Sequence, residues 1–275
     1  MRGEENVTTR LIGAFLLFGG VLLSTSGLEA QLPGGIVKHD RGQNVSPVYE
    51  GFFRTDDGRT FASFGYFNKN YEEEIDVPVG PDNRIAPGPD DRGQPTHFLT
   101  RRNRGVFAFE LPEDVQDGQV KWVLTVRGDV MEIPVNLDPE YLITAFREIT
   151  GRQPGNAPPT VKFAPDGTEA FGPPGTTATA SAKVGEPLAL DAWVTDDGLG
   201  SVGRPRVDVR WSRYRGLGTV TFGDPAPAVE SDRARTTATF DEPGEYTLYL
   251  RASDGSNSSF QCCWTNAYLR VTVTE

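Results

Sequence analysis

The stretch Phe240–Gly255, FDEPGEYTLYLRASDG, decides the fold class. It begins with a turn at Pro243-Gly244, because proline presets φ and glycine adopts positive φ. From Tyr246 to Ser253, residues of one parity are apolar or aromatic and most of the others are polar. A period of two places one face of a strand against a core and the other face in water. The stretch therefore predicts a half-buried strand that ends at the turn Asp254-Gly255, in an all-β protein.

Further strands of the same kind fill the second half of the chain. Leu188–Val194 alternates in the same way, and Val207–Trp211 alternates up to a tryptophan. Seven short strands with a tryptophan on the third are typical of an immunoglobulin-like β-sandwich. In that fold, Tyr246 is expected to form a tyrosine corner, in which the hydroxyl bonds back to nearby backbone.

Five pieces of residues 160–275 resemble a PKD (polycystic-kidney-disease-type) repeat, an immunoglobulin-like extracellular module. They are VGEPLALDAWVTDDG, VDVRW, VTFGDP, RTTATFDEPGEYTLYLRASDG and LRVTVTE. The usual signature has an FGDG-like turn soon after the tryptophan. Here Trp211 is followed by SRYRGLG, and Phe222-Gly223-Asp224 comes later, so no ligand of that turn is carried over. The resemblance implies a spacer, or a unit that binds protein or polysaccharide.

The first half also reads as a sandwich of short strands. Val48–Arg54 and Thr60–Asn68 flank an Asp-Asp-Gly turn, and aromatic residues on both faces of the second strand predict that both faces are covered. Trp122 is expected to be a core residue. The Pro- and Gly-rich stretch Gly80–Gly93 predicts a long irregular loop. The pieces EGFFRTDDG, FGYFNKNYEEEIDVPVGPDN, GQPTHFLTRR and VKWVLTVRG resemble an N-terminal module of exported bacterial proteins, which implies no particular activity.

The predicted organisation has five parts. Residues 1–30 have the form of a signal peptide, because an apolar run of signal-peptide length follows Arg10. A flexible lead-in (31–46), an N-terminal β-sandwich (47–141), a linker (142–159) rich in Pro and Gly, and the PKD-like domain (160–275) follow. We expect export to the periplasm or the cell exterior, with no membrane span after cleavage. The alternative is an uncleaved N-terminal membrane anchor.

The composition and the motifs limit the classes of function that this chain can have. The formal net charge of -11 argues against nucleic acid as a partner, because neutralising phosphates needs a basic face. Only two histidines are present, His39 and His97, and neither a GxSxG nor an HExxH motif occurs. The sequence therefore predicts a non-catalytic module that needs no cofactor and binds a surface protein or polysaccharide. The alternatives are an accessory binding protein of a secreted hydrolase, or a weak hydrolase with its site near His97.

Acidic residues in two loops form a candidate calcium site. Asp196, Asp197 and Asp254 follow strands that are neighbours in immunoglobulin-like folds. Calcium takes several carboxylate and carbonyl oxygens at once, and loops meeting at one end of a sandwich can provide them. The alternative is that Asp-Asp-Gly and Ser-Asp-Gly are plain turns.

A histidine and three arginines form a candidate anion- or sugar-binding patch. His97 is followed closely by Arg101, Arg102 and Arg104, and arginine forks suit carboxylates. The alternative is that these arginines pair on the surface with the acidic runs Glu72–Glu74 and Asp90-Asp91.

The two cysteines of the chain, Cys262 and Cys263, are adjacent and precede Trp264. Neighbouring residues of a strand point to opposite faces, so the pair is not a conventional disulfide framework. Four alternatives stay open: a vicinal disulfide beside a binding tip, capture of a soft metal, intermolecular pairing, and two unpaired thiols.

Overall fold

The computed structural model describes residues 38–149, 154–200, 207–255 and 262–275. The expected signal peptide at 1–30 and the first part of the expected lead-in lie outside the described residues. The part that is described has no α-helix, only a 3-10 turn at Pro139–Tyr141, and it contains no helix with the length and apolar character needed to cross a membrane. The all-β prediction is confirmed.

Eighteen strands are present among the described residues: β1 (Val45–Arg54), β2 (Thr60–Asn68), β3 (Ile75–Asp76), β4 (Asn83–Ala86), β5 (His97–Phe98), β6 (Arg101–Glu110), β7 (Lys121–Val126), β8 (Asp129–Pro134), β9 (Thr160–Lys162), β10 (Ala170–Phe171), β11 (Thr176–Lys183), β12 (Leu188–Thr195), β13 (Asp208–Arg215), β14 (Val220–Phe222), β15 (Val229–Glu230), β16 (Arg233–Phe240), β17 (Gly244–Ser253) and β18 (Trp264–Thr274).

The first sandwich packs two three-stranded antiparallel sheets, β1-β2-β6 and β4-β7-β8, around an aromatic core. Phe64 of β2 lies 5.6 Å from Phe107 of β6, and Trp122 of β7 meets Phe107 edge-on at 5.1 Å, measured between ring centroids. Trp122 is completely buried, as predicted. Both faces of β2 are covered because Phe61 points away from this core into a second cluster that contains Trp264.

The prediction that Gly80–Gly93 is irregular throughout is wrong. The proline-free segment Asn83–Ala86 forms β4 and pairs with β7. Its Ile85 is fully buried, and the Asn83 side chain accepts a 2.9 Å hydrogen bond from Trp122 Nε1 while donating to two backbone carbonyls. Prolines and glycines that break strands therefore flank an element short enough to fit between them.

The second sandwich confirms the immunoglobulin-like prediction. One sheet runs β10-β9-β12-β16-β14 with β15 beside β16, and the other runs β11-β18-β17-β13. The chain passes from the first sheet to the second between β10 and β11, and β11 pairs in parallel with β18. Trp211 is buried on β13, and the Tyr246 hydroxyl donates a 2.9 Å hydrogen bond to Glu242 O, so the predicted tyrosine corner is confirmed.

The predicted strand β17 is confirmed, but its outer face is only partly exposed to solvent. Tyr249 points outward from the immunoglobulin-like core, yet only 7% of it is exposed. Together with Tyr214 and Tyr268 it packs into the core of the first sandwich. The sheet β11-β18-β17-β13 is therefore covered on both faces over part of its area. We call the contact between the two sandwiches the seam.

Candidate functional site

The apolar centre of the seam is a cluster of three tyrosines from the second sandwich. The ring centroids of Tyr214, Tyr249 and Tyr268 lie 5.2–5.6 Å apart. Two of their hydroxyls donate to backbone carbonyls of the first sandwich, Tyr214 to Gly93 at 2.5 Å and Tyr268 to Val106 at 2.8 Å. Burial raises the pKa of all three phenols, that of Tyr249 to about 12, so they remain neutral donors.

A second part of the seam covers the edge of β6. Gly105 O accepts hydrogen bonds from Trp264 Nε1 at 3.0 Å and from Asn266 Nδ2 at 2.9 Å. The neighbouring Arg104 O accepts one from Arg251. Gly105 has φ +54°, and a Cβ atom there would lie 2.3 Å from the Trp264 ring. Glycine is therefore required at this position both by the backbone conformation and by the close approach of the indole.

His97 lies at the rim of the seam among charged groups and is only 4% exposed. Its Nδ1 is 2.9 Å from Asp76 Oδ1, and its Nε2 is 2.9 Å from Glu74 Oε2. Arg213 crosses from the second sandwich, with Nη2 3.0 Å from Asp76 Oδ2 and 2.7 Å from His97 Nδ1. The cluster thus joins two carboxylates and the imidazole of the first sandwich to an arginine of the second.

The electrostatics of the cluster favour a charged imidazole. Burial lowers the pKa of His97 and the Arg213 charge also opposes protonation, but the hydrogen bonds to Asp76 and Glu74 outweigh them and hold the pKa above its ordinary value. The hydrogen bond with His97 lowers the pKa of Glu74. Burial raises the pKa of Asp76, yet His97 and Arg213 bring it below its ordinary value. Each ring nitrogen of His97 lies within hydrogen-bond distance of a carboxylate oxygen, so groups of this chain already contact both nitrogens.

The arginines predicted to join His97 have other partners. Arg102 forms a 2.7 Å ion pair with Glu50, and the Arg101 guanidinium lies 3.8 Å from the Tyr71 ring centroid. The carbonyl of Arg104 lies in the seam. The acidic runs proposed as their alternative partners contact different cations: Glu73 pairs with Arg127, and Asp91 pairs with Arg215. Arg101 and Arg102 therefore contact Tyr71 and Glu50 rather than the imidazole of His97.

A cleft of about 340 Å³ opens where the two sandwiches meet, next to the charged cluster. Arg215 spans it with two hydrogen bonds to the Asp91 carboxylate, 2.8 and 2.9 Å long, and this contact lowers the pKa of Asp91. Leu217 stands at the cleft with 85% of its surface exposed. The cleft is lined by Asp76, Pro78, Val79, Asp91, Thr96, Arg215, Gly216, Leu217 and Pro243–Tyr246.

The three aspartates of the candidate calcium site lie at a different part of the second sandwich. Asp196 and Asp197 accept hydrogen bonds from the amides of Gly198 and Leu199 within their own turn. Asp254 is buried and accepts a 2.7 Å hydrogen bond from Asn156 Nδ2. Burial, with the charges of the other two aspartates, raises the pKa of Asp196 to about 6.

These aspartates influence one another, but they do not form a recognisable metal centre. Across residues 38–149, 154–200, 207–255 and 262–275, no group of three or more His, Cys, Asp or Glu side chains has metal-binding geometry. Calcium at this end of the sandwich stays a prediction.

Cys262 and Cys263 are joined by a disulfide and both are buried. The Cys263 sulfur lies 3.5 Å from Asn156 O, and the next residue is Trp264 of the seam. The pair therefore lies between the linker and the seam, away from the surface, rather than at an exposed tip.

One segment with an unusual sequence lies at the seam. The segment SRYRGLG, which departs from the PKD signature after Trp211, supplies Arg213, Tyr214 and Arg215 to the seam and Leu217 to the cleft. In the sequence, Glu74 belongs to the acidic run Glu72–Glu74, and Asp76 follows two residues later. Their role depends on the register of β3 against β5, which aligns Asp76 with His97.

Comparisons with known proteins leave the family open. No protein-family model and no curated protein matches the sequence. Similar solved structures include the D00-D0 domain of intimin (13% identity, 87% of this chain and 96% of that chain covered, TM-score 0.28) and domains 4 and 5 of the S-layer protein SbsC (11%, 84% and 98%, 0.25). TM-scores this low carry no argument about family or function.

Proposed function

We propose that the chain is an exported, non-catalytic interaction module that binds a protein or polysaccharide at the cell surface or in the periplasm. Its two sandwiches act as one rigid unit, and the ligand binds in the cleft beside the seam. The observation that carries this proposal is the construction of that cleft, whose walls come from both sandwiches and are held by the Asp91–Arg215 ion pair.

Rigidity supports a binding role because little conformational entropy is lost when a preformed site is occupied. Tyrosines pack across the seam, and hydrogen bonds from four side chains of β17 and β18 and from Tyr214 of β13 reach backbone carbonyls of the first sandwich. An ordered cleft of about 340 Å³ lies within the size range of small ligand sites.

The lining indicates what kind of group would bind. Leu217 offers an exposed apolar contact, while Asp76 and Asp91 offer carboxylate acceptors for hydroxyl or amide donors. Sugar hydroxyls and peptide amides both match that combination, whereas a polyanion would meet carboxylates in a chain of net charge -11.

The experiment is a binding assay with the protein purified from its host. Its two probe sets are purified polysaccharides, including peptidoglycan, and synthetic extended peptides. The test variant is Leu217→Asp. The matched control is Val130→Asp, which changes another exposed apolar residue, 62% exposed, on β8.

We expect at least one probe to bind, and Leu217→Asp to weaken it by about tenfold or more, because a buried leucine contributes about 1.5–3 kcal/mol and each 1.4 kcal/mol is tenfold in affinity. Val130→Asp should bind like the unchanged protein. Equal binding by both variants, or the absence of any binding, would refute the assignment of the cleft. Turnover of a probe would show that the chain is an enzyme.

A further inference from the structure

We propose that β11 is a self-association edge, on which a second copy of this chain pairs antiparallel through its own β11 to join the two four-stranded sheets into one of eight strands. The proposal does not depend on the ligand of the cleft. It is based on the one long sheet edge that nothing covers within the described part of the chain.

β11 is an open edge by its position and its hydrogen bonds. It is the last strand of the sheet β11-β18-β17-β13 and pairs only with β18, from Thr176 to Lys183. Among the described residues, only β18 forms hydrogen bonds with the backbone of Thr176–Ala182. Since the N–H and C=O groups of alternate residues in a strand point to opposite sides, about half of them face outward as donors and acceptors for another strand.

The edges of the first sandwich are protected. Pro47 and a bulge at Gly51 interrupt β1, and Ile143 N donates to its Phe52 O at 2.8 Å. In the seam, side chains of the second sandwich bond to the Gly105 and Val106 carbonyls in the middle of β6. On the other sheet, Ile85 N of β4 donates to Asp90 O at 3.1 Å. Prolines and bulges of this kind prevent a further strand from pairing.

The remaining edges are also unsuitable for pairing. Trp211 N of β13 donates to Pro225 O at 2.8 Å, and Tyr214 O accepts from Thr96 N at 3.1 Å. β8 carries the charged residues Asp129 and Glu132 and ends in proline. The edge strands β10, β14 and β15 have two or three residues each. Over its eight residues β11 has no proline and no bulge, and its one charged residue, Lys183, lies at its C-terminal end.

The sequence of β11, TTATASAK, suits pairing with itself. Its alanines turn inward to the immunoglobulin-like core, and Thr177, Thr179, Ser181 and Lys183 are exposed. In a two-fold antiparallel pair centred on Thr179, that threonine lies opposite its own copy and Thr177 lies opposite Ser181. Cross-strand Thr–Thr and Thr–Ser pairs are favourable.

The distribution of charge on β11 also permits pairing between two copies of the strand. Lys183 is the only charged residue of β11 and lies at its end, so antiparallel pairing places the two lysines at opposite ends of the new strand pair. No like charges then face each other across the contact. A closed two-fold arrangement uses the same surface on both copies and leaves no open β11 edge for further growth.

The association should be weak because a strand pair buries less surface than a standard interface. We expect a dissociation constant in the range of about 1–100 µM, typical of small interfaces. The measurement is sedimentation velocity of the protein purified from its host, over concentrations that span this range. The mass should rise from one to two times that of the monomer as the concentration increases.

Two variants locate the contact. Thr179→Lys combined with Ser181→Lys places four added positive charges on the edge of a dimer and should raise the dissociation constant about tenfold or more. The control Thr221→Lys changes an exposed threonine on β14 of the other sheet. It should dimerise like the unchanged protein. Melting temperatures verify that all variants are folded.

Hydrogen exchange gives an independent readout. Amides of Thr176–Lys183 should exchange more slowly at high than at low protein concentration, since their outward N–H groups become bonded only in the dimer. A monomer at all concentrations would overturn the proposal. So would a dimer that resists the edge lysines, or one whose β11 amides exchange at an unchanged rate.

Discussion

Gly105→Ala is the sharpest perturbation of the seam. Gly105 has φ +54°, and its added methyl carbon would lie 2.3 Å from Trp264 Cζ2 and 2.7 Å from Cε2. Alanine at positive φ costs about 1 kcal/mol. The indole must also move, which costs a further 1–3 kcal/mol or so by overpacking and weakens its hydrogen bond to Gly105 O. We expect the free energy of unfolding to fall by about 2–4 kcal/mol, on the sum of these two costs.

A matched glycine separates the two costs. Gly128 has φ +85°, and a Cβ atom there would meet nothing within 4 Å, so Gly128→Ala should cost only the backbone strain, about 1 kcal/mol. The assay is equilibrium urea denaturation. In a double-mutant cycle, Trp264→Leu removes the ring atoms that the methyl would strike, so Gly105→Ala should cost no more than Gly128→Ala in that background. Equal costs for the two glycines in the unchanged background would refute the reasoning.

Three further predictions concern charge and the tyrosine corner. The folded-state pKa of His97 is raised, so the stability that its protonation contributes is fully present below the unfolded pKa near 6.5 and is lost as pH rises through the folded pKa. In urea denaturation at a series of pH values, the free energy of unfolding of His97→Gln should therefore fall less with rising pH than that of the unchanged protein. The pKa of Asp196 is raised to about 6, so the charged carboxylate destabilises the folded state at higher pH. Asp196→Asn should therefore increase the free energy of unfolding at pH 8 by about 1 kcal/mol after solvent screening, and by less at pH 4. A destabilised Asp196→Asn at pH 8 would contradict this. Tyr246→Phe loses the hydroxyl bond to Glu242 O and should lower the free energy of unfolding by about 1 kcal/mol; an unchanged value would show that the corner does not contribute.

The strands could be predicted because their signals are local. Alternation around Tyr246 and Leu248 places β17, and the turn at Pro243-Gly244 marks its start. The prediction was wrong for β4 because a four-residue strand between prolines has too few positions to show a period, and only its pairing with β7 stabilises it. Local pattern therefore accounts for the second sandwich better than for the first.

The seam was not predictable because it depends on which outward faces meet. Tyr249 alternates like a solvent-facing residue, and only the first sandwich makes it a core residue. The sequence pattern groups His97 with the arginines that follow it, whereas Arg213 is 116 positions away and contributes to the environment of His97 only in the folded chain. Nothing in the sequence around Gly105 indicates that the indole of Trp264 will lie against it.

The most direct test of the rigid two-sandwich unit is calorimetry of its thermal unfolding. If the seam joins the sandwiches as described, they unfold in a single transition whose calorimetric enthalpy equals the van't Hoff enthalpy, and Trp264→Leu lowers the melting temperature of that transition as a whole. Two resolved transitions in the unchanged protein, with Trp264→Leu shifting only one of them, would contradict the single unit and with it the preformed cleft.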